Sequence, residues 1–105
     1  MTLTATLQTT QRIEVLGAAM AAEHRGCPVP YVGATRTVWN DKARHALARA
    51  GIAIDDTPLT PGQVHALTRE IRSKLAGSRR DRHGGHTAWT QWVSEVLTKA
   101  GWTLA

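Results

Sequence analysis

The residues from 69 to 86 carry the densest charge in the chain. This stretch holds six Arg and Lys against two Asp and Glu, so it supplies +4 of the formal net charge of +5. The basic residues are Arg69, Arg72, Lys74, Arg79, Arg80 and Arg82. Because the planar guanidinium of Arg offers several donors to phosphate oxygens, such a cluster is typical of surfaces that bind the nucleic-acid backbone. The same pattern also occurs on solvated surfaces without a partner.

Two further side chains extend this cluster into a candidate binding site. On a helix that begins near residue 61, His65 falls within about 60° of arc of Arg69 and Arg72, opposite the apolar positions. Trp92 lies at the flank of the last predicted helix, where an exposed Trp would anchor a protein partner. The candidate binding residues are therefore His65, Arg69, Arg72, Arg79, Arg80, Arg82 and Trp92.

These residues predict a binding protein rather than an enzyme. The leading hypothesis is a small regulatory protein, of the kind that phages and plasmids encode, whose Arg side chains contact the phosphates of DNA or RNA. The alternative is an inhibitor or adaptor that docks the same basic surface, with an exposed Trp, onto an acidic protein. The sequence leaves both partners open, and it leaves a homodimer open as well.

Two short motifs have the spacing of zinc ligands. His24 and Cys27 are three residues apart, as are His83 and His86, with glycine inside each pair. Tetrahedral zinc takes His and Cys ligands at such spacings. However, nothing in the sequence requires pairs so far apart to meet, and one Cys with three His is an unusual ligand set. We therefore expect no bound metal and no other cofactor.

Motifs of catalysis are missing from the chain. There is no Gly-rich phosphate loop, no Gly-x-Ser-x-Gly and no His-Glu-x-x-His. Cys27 and His24 resemble a nucleophile and its base, but a third, orienting group is lacking. The single Cys excludes an intramolecular disulfide, and no segment has the pattern of a signal peptide or the ~20 apolar residues of a membrane span. We expect a cytoplasmic protein.

Four predicted helices position the candidate residues. Their ranges are about 10–25, 40 or 41 to 50, 61–76 and 87–100, each followed closely by a Gly. The third is the best specified, because Thr60-Pro-Gly-Gln63 has the layout of a capping box with Pro at the first helical position. Between the helices, 27–33 is predicted to be an extended connector or edge strand, 52–54 and 102–104 short strands, and 78–86 an exposed loop.

The two halves of the chain resemble each other at an offset of 50 residues. Thr37, Trp39, Leu47, Ala50 and Gly51 align with Thr87, Trp89, Leu97, Ala100 and Gly101. Either two helix–helix–strand units, 10–54 and 60–104, pack about a pseudo-twofold axis with their strands paired, or common Ala-Gly helix ends produce the match by chance. Both readings predict a mainly α-helical single domain, 10–105, with four helices, one or two very short strands, core Trp side chains at 39 and 89, and a flexible segment 1–9 before it.

Overall fold

Four helices form almost all the regular structure of the described residues. In the computed structural model these residues are 2–78 and 85–105, with side chains described for 9–78 and 85–105. The helices are α1 (Thr2–Arg25), α2 (Gly33–Arg49), α3 (Pro61–Lys74) and α4 (His86–Ala100). Within those ranges the only β pairing is an isolated parallel bridge between Leu59 and Leu104. The predicted mainly α, four-helix fold is confirmed.

Two helices begin earlier than predicted. α1 starts at Thr2 rather than near residue 10, and no Gly or Pro precedes Gly17 to interrupt it. α2 starts at Gly33 rather than at residue 40 or 41, although its N-cap residue, Val32, offers no side-chain hydrogen bond. Gly33 has a φ of +59°, which turns the chain from the extended Val32 into the helix. This start depends on backbone geometry and packing, and no capping residue marks it.

The predicted strands at 52–54 and 102–104 do not form regular strands in the described residues. Their first residues complete helix ends instead: the backbone N–H of Ile52 donates to the carbonyl of Leu47, and that of Trp102 to Leu97, both at 3.0 Å. Gly51 and Gly101, with φ of +72° and +108°, supply the left-handed turn that these Schellman caps need. The predicted partner of 102–104 was 52–54, but the bridge joins Leu104 to Leu59. The internal duplication itself stays a prediction.

The helices surround one hydrophobic core. α1 packs against α2 and α4, and α3 packs against the same two helices. Trp39 and Trp89 are buried, as predicted, together with Trp102. The radius of gyration is 13.1 Å, close to the ~13 Å of a compact domain of about 100 residues. Among the described residues, no helix combines the length and the apolar content that crossing a membrane requires.

Gly17 lies at a close contact between α1 and α2. Tyr31 donates a hydrogen bond from its hydroxyl to the Oδ1 atom of Asn40, next to this glycine. A Cβ atom at position 17 would overlap the Tyr31 hydroxyl and would lie 3.1 Å from the carbonyl oxygen of Trp39. Burial, with a contribution from the Glu14 carboxylate, raises the pKa of Tyr31 to about 12.

Arg12 of α1 connects two distant parts of the chain. Its guanidinium donates to the backbone carbonyl of Asp55 and forms a salt bridge with Asp56, and it lies 5.3 Å from the centre of the Trp102 ring. The side chain of Arg12 is 9% exposed, whereas that of Asp56 is 88% exposed. Arg12 therefore fixes both the connection between α2 and α3 and the C-terminal segment to α1.

Candidate nucleic-acid interface

The predicted capping box fixes the start of α3. The hydroxyl of Thr60 accepts a hydrogen bond from the backbone N–H of Gln63 at 3.2 Å, and the Gln63 side chain accepts one from the backbone N–H of Thr60 at 2.9 Å. Gln63 also donates to the carbonyl of Gly51 at 3.0 Å, which ties this end of α3 to the end of α2. The inner face of the helix is buried through Val64, Leu67, Thr68, Ile71 and the capping residue Leu75.

Burial of that face presents the opposite face of α3 to solvent. His65 and Arg69 are exposed, as the helical spacing predicted. Arg72 is only partly exposed, because its guanidinium carbon lies 5.9 Å from the centre of the Trp89 ring in a cation–π contact. Of the three helical members of the predicted site, two are therefore open to a partner, while the third also packs on the core.

Glu70 is the only acidic residue of α3, and it forms its salt bridge with Arg49 rather than with Arg69. Its carboxylate accepts a hydrogen bond from the Nε atom of Arg49, on α2, at 3.2 Å. Arg69 forms no salt bridge with another described residue. The charge of Arg69 therefore remains on the outward face of α3 without a neutralising neighbour in the described structure.

The start of α4 lies beside this face. The rings of His65 and His86 stack with their centres 5.2 Å apart, and their Nδ1 and Nε2 atoms are 3.0 Å apart. At that distance one ring nitrogen donates a hydrogen bond to the other, and the tautomers decide which of the two is the donor. The N-cap of α4, Gly85, supplies no side-chain hydrogen bond, and the helix thus presents backbone N–H groups next to the His pair.

The three described members of the zinc-ligand set, His24, Cys27 and His86, do not form a metal site. His86 contacts His65, whereas His24 lies against Trp39 with ring centres 5.2 Å apart. Cys27 is exposed, and His83 lies outside the described residues. No group of three or more His, Cys, Asp and Glu in the described ranges could hold a metal ion.

The remaining candidate binding residues belong to the predicted loop 78–86 and to α4. Arg79, Arg80 and Arg82 lie in 79–84, outside the described residues. Ser78, at the start of the predicted exposed loop, is buried, whereas Gly85 and His86 at its other end are exposed. Trp92 is partly buried, and its ring meets that of Trp89 edge-on with centres 5.8 Å apart. The Trp92 ring therefore packs partly against the core and is partly exposed to solvent.

No family model, curated protein or solved structure matches this chain.

Two contacts that shape the interface, and the contacts of Arg12 that shape the fold, were not predicted from the sequence. The Arg49–Glu70 salt bridge and the His65–His86 bond each join residues 21 positions apart on different helices, and no local pattern encodes them. The burial of Arg12, by contrast, can be predicted from its position in the sequence. This residue lies four residues before Leu16, so helical spacing places it on the buried face of α1, where an unpaired charge would be costly.

Proposed function

We propose that this protein binds the phosphate backbone of nucleic acid through the outward face of α3, the start of α4 and the Arg residues at 79, 80 and 82. The observation that supports this most is the exposed Arg69 beside His65, with the only acid of α3 paired to Arg49. Among the described residues Arg69 has no salt-bridge partner, and an exposed guanidinium of this kind is what a polyanion would neutralise.

Each part of the surface supplies a distinct kind of phosphate contact. Arg69 offers a planar set of donors from a helix whose position is fixed by its capping box and its buried face. The backbone N–H groups at the start of α4 add a site where a phosphate oxygen is favoured by the helix dipole. The Arg residues at 79, 80 and 82 add charge, and binding would release the counterions of the phosphates they replace.

This mode of binding is independent of base sequence and needs no catalytic group or cofactor. We therefore propose a non-enzymatic regulatory role, of the kind found among phage and plasmid proteins. We place the protein in the cytoplasm, where the exposed thiol of Cys27 would stay reduced.

A matched pair of Arg variants tests the proposal. Fluorescence anisotropy with random-sequence duplex DNA would measure the dissociation constants of the wild type, Arg69→Gln and Arg44→Gln. Arg44 is also exposed, but it lies on α2 near Tyr31. We expect Arg69→Gln to weaken binding by about threefold to tenfold, equally for unrelated sequences, and Arg44→Gln to have little effect. Equal effects of the two substitutions would contradict the proposed surface.

The same experiment separates nucleic acid from the alternative partner, an acidic protein. If the wild type does not bind duplex DNA even at low salt, the phosphate-backbone proposal fails. A single host protein that stays bound to the chain after nuclease treatment, and is released by Arg69→Gln, would then support the adaptor hypothesis.

A further inference from the structure

A pocket opens between the end of α1, the start of α2 and the end of α3. It has a volume of about 620 Å³ and is lined by ten residues between Ala21 and Lys42 and by Lys74. None of these residues is a candidate nucleic-acid-binding residue, although Lys74 belongs to the basic stretch 69–86. Sites for small molecules usually occupy roughly 300–1,000 Å³ and combine an apolar wall with a few polar groups.

The wall of the pocket is apolar and unusually open to water. Val32 and Val38 are 69% and 48% exposed, and both line it, with Val29, Pro30 and Trp39 beside them. Pro28 and Pro30 keep the chain extended before α2, which leaves the Val32 side chain outside the core. These side chains would lose contact with water if an apolar group entered the pocket.

The charged groups around the pocket are all cationic, and His24 and Thr35 are its other polar side chains. Arg25, Lys42 and Lys74 line it together with His24, and no acidic residue does. None of the three cations forms a salt bridge with a described residue. The Lys42 ammonium lies 5.5 Å from the centre of the Trp39 ring, and Lys74 donates a hydrogen bond to Nδ1 of His45 at 3.1 Å. Two cations are thus positioned beside an apolar wall.

We infer that this pocket binds a small amphiphilic carboxylate, a molecule with one anionic head and an apolar body. The head would be bound by Lys42, Lys74 and Arg25, and the body would cover Val32, Val38 and the edge of Trp39. A protein partner fits less well, because a stable interface needs about 800 Å² from each side and a larger apolar centre than two exposed Val side chains provide.

Decanoate serves as the probe, at concentrations below those at which it forms micelles. Titration of the full chain, followed by amide NMR shifts and by calorimetry, compares it with decanol, which has the apolar body alone, and with acetate, which has the head alone. We expect decanoate to bind at least tenfold more tightly than either control, with shifts centred on residues 24–42 and Lys74.

Matched variants locate both parts of the site. Lys42→Gln and Val38→Asn should each weaken decanoate binding by about threefold to tenfold, since each change is at a partly exposed position and leaves the core intact. Lys99→Gln removes a charge at the far end of α4, and Arg69→Gln removes one from the candidate nucleic-acid interface. Both should leave decanoate binding within twofold of the wild type.

Three outcomes would overturn the inference. If decanol binds as tightly as decanoate, the anionic head is not recognised and the cations have no role in binding. Equal losses in Lys42→Gln and Lys99→Gln show attraction to net charge alone. Shifts centred elsewhere, or an increase in molecular mass on titration, show that decanoate binds another surface or joins two copies of the chain.

Discussion

At the scale of single residues, Arg12 shows that a buried charge can serve the fold rather than the site. Its guanidinium lies between a backbone carbonyl, an exposed carboxylate and an aromatic ring. Arg12 and Trp102 are buried and the hydrogen bond to the Asp55 carbonyl is partly buried, while Asp56 is largely solvated. The stabilising part of this arrangement should therefore come from Arg12 and its buried contacts, and little should come from the ion pair.

Substitution of each partner separates the two contributions. Arg12→Met keeps most of the side-chain length and should lower the free energy of unfolding by about 2 kcal/mol, because hydrogen bonds and the cation–π contact are lost. Asp56→Asn should lower it by less than about 1 kcal/mol. Urea denaturation of both variants gives the two values. Equal losses would show that the ion pair carries the effect.

Tyr31 is the only tyrosine, so its ionisation can be followed directly by tyrosinate absorbance. Burial, then Glu14, raises its pKa from 10.0 to about 12. Because the folded chain keeps the proton that the unfolded chain loses, this group stabilises the fold fully below pH 10, and the stabilisation is lost as the pH rises from about 10 to 12.

We therefore expect the absorbance midpoint of the native protein to lie well above that of the same chain in denaturant, which should titrate near 10. The free energy of unfolding should fall over the same range of pH. A native midpoint near 10 would mean that the Tyr31 hydroxyl is solvated and that its contact with Asn40 does not persist.

At the scale of helices, the α1–α2 contact depends on the missing side chain of Gly17. Gly17→Ala should lower the free energy of unfolding by about 1–2 kcal/mol, since overpacking against Tyr31 and the Trp39 carbonyl outweighs the gain in helix propensity. The control is Gly62→Ala in the first turn of α3, where the new methyl group would meet only the Thr60 hydroxyl, at 3.8 Å. Its stability should stay unchanged or rise by up to about 1 kcal/mol. Thermal and urea unfolding measure both, and a stabilised Gly17→Ala variant would contradict this close contact.

The helices that the sequence predicts best are those with local signals at their ends. Thr60 and Gln63 mark the start of α3, and its apolar spacing decides that His65 and Arg69 face outward. The start of α2 carries no cap and depends on burial of Trp39 and its neighbours, so local reasoning places it too late. The backbone N–H groups of Ile52 and Trp102 donate to carbonyls at the ends of α2 and α4. Because the residues around them are β-prone, the sequence predicts strands there instead.

The candidate site likewise has some features that local sequence predicts and others that depend on contacts between helices. Exposure of the α3 face follows from the period of one helix, and the sequence alone predicts it. Pairing of Glu70 with Arg49, and of His65 with His86, depends on how α3 lies against α2 and α4. The pocket beside Val32 and Val38 likewise forms only when three elements meet. The sequence of this region predicts an extended connector or edge strand and gives no signal of a pocket.

At the scale of the whole molecule, the charge is unevenly divided. The described part of the chain contains three salt bridges, and they use Arg12, Arg36 and Arg49. Most of the net charge of +5 belongs to residues 69–86, which include Arg69 and the three Arg residues at 79, 80 and 82. A protein built in this way should bind a polyanion with a strength set mainly by counterion release.

The salt dependence of binding to random-sequence duplex DNA tests this most directly. If Arg69 and the Arg residues at 79, 80 and 82 each neutralise one phosphate, the slope of log K against log salt concentration should be about −3.6, at about −0.9 per phosphate. The triple variant Arg79→Ala, Arg80→Ala, Arg82→Ala should reduce the slope to about −1. A wild-type slope near zero, or a triple variant that binds as the wild type does, would contradict the proposed function.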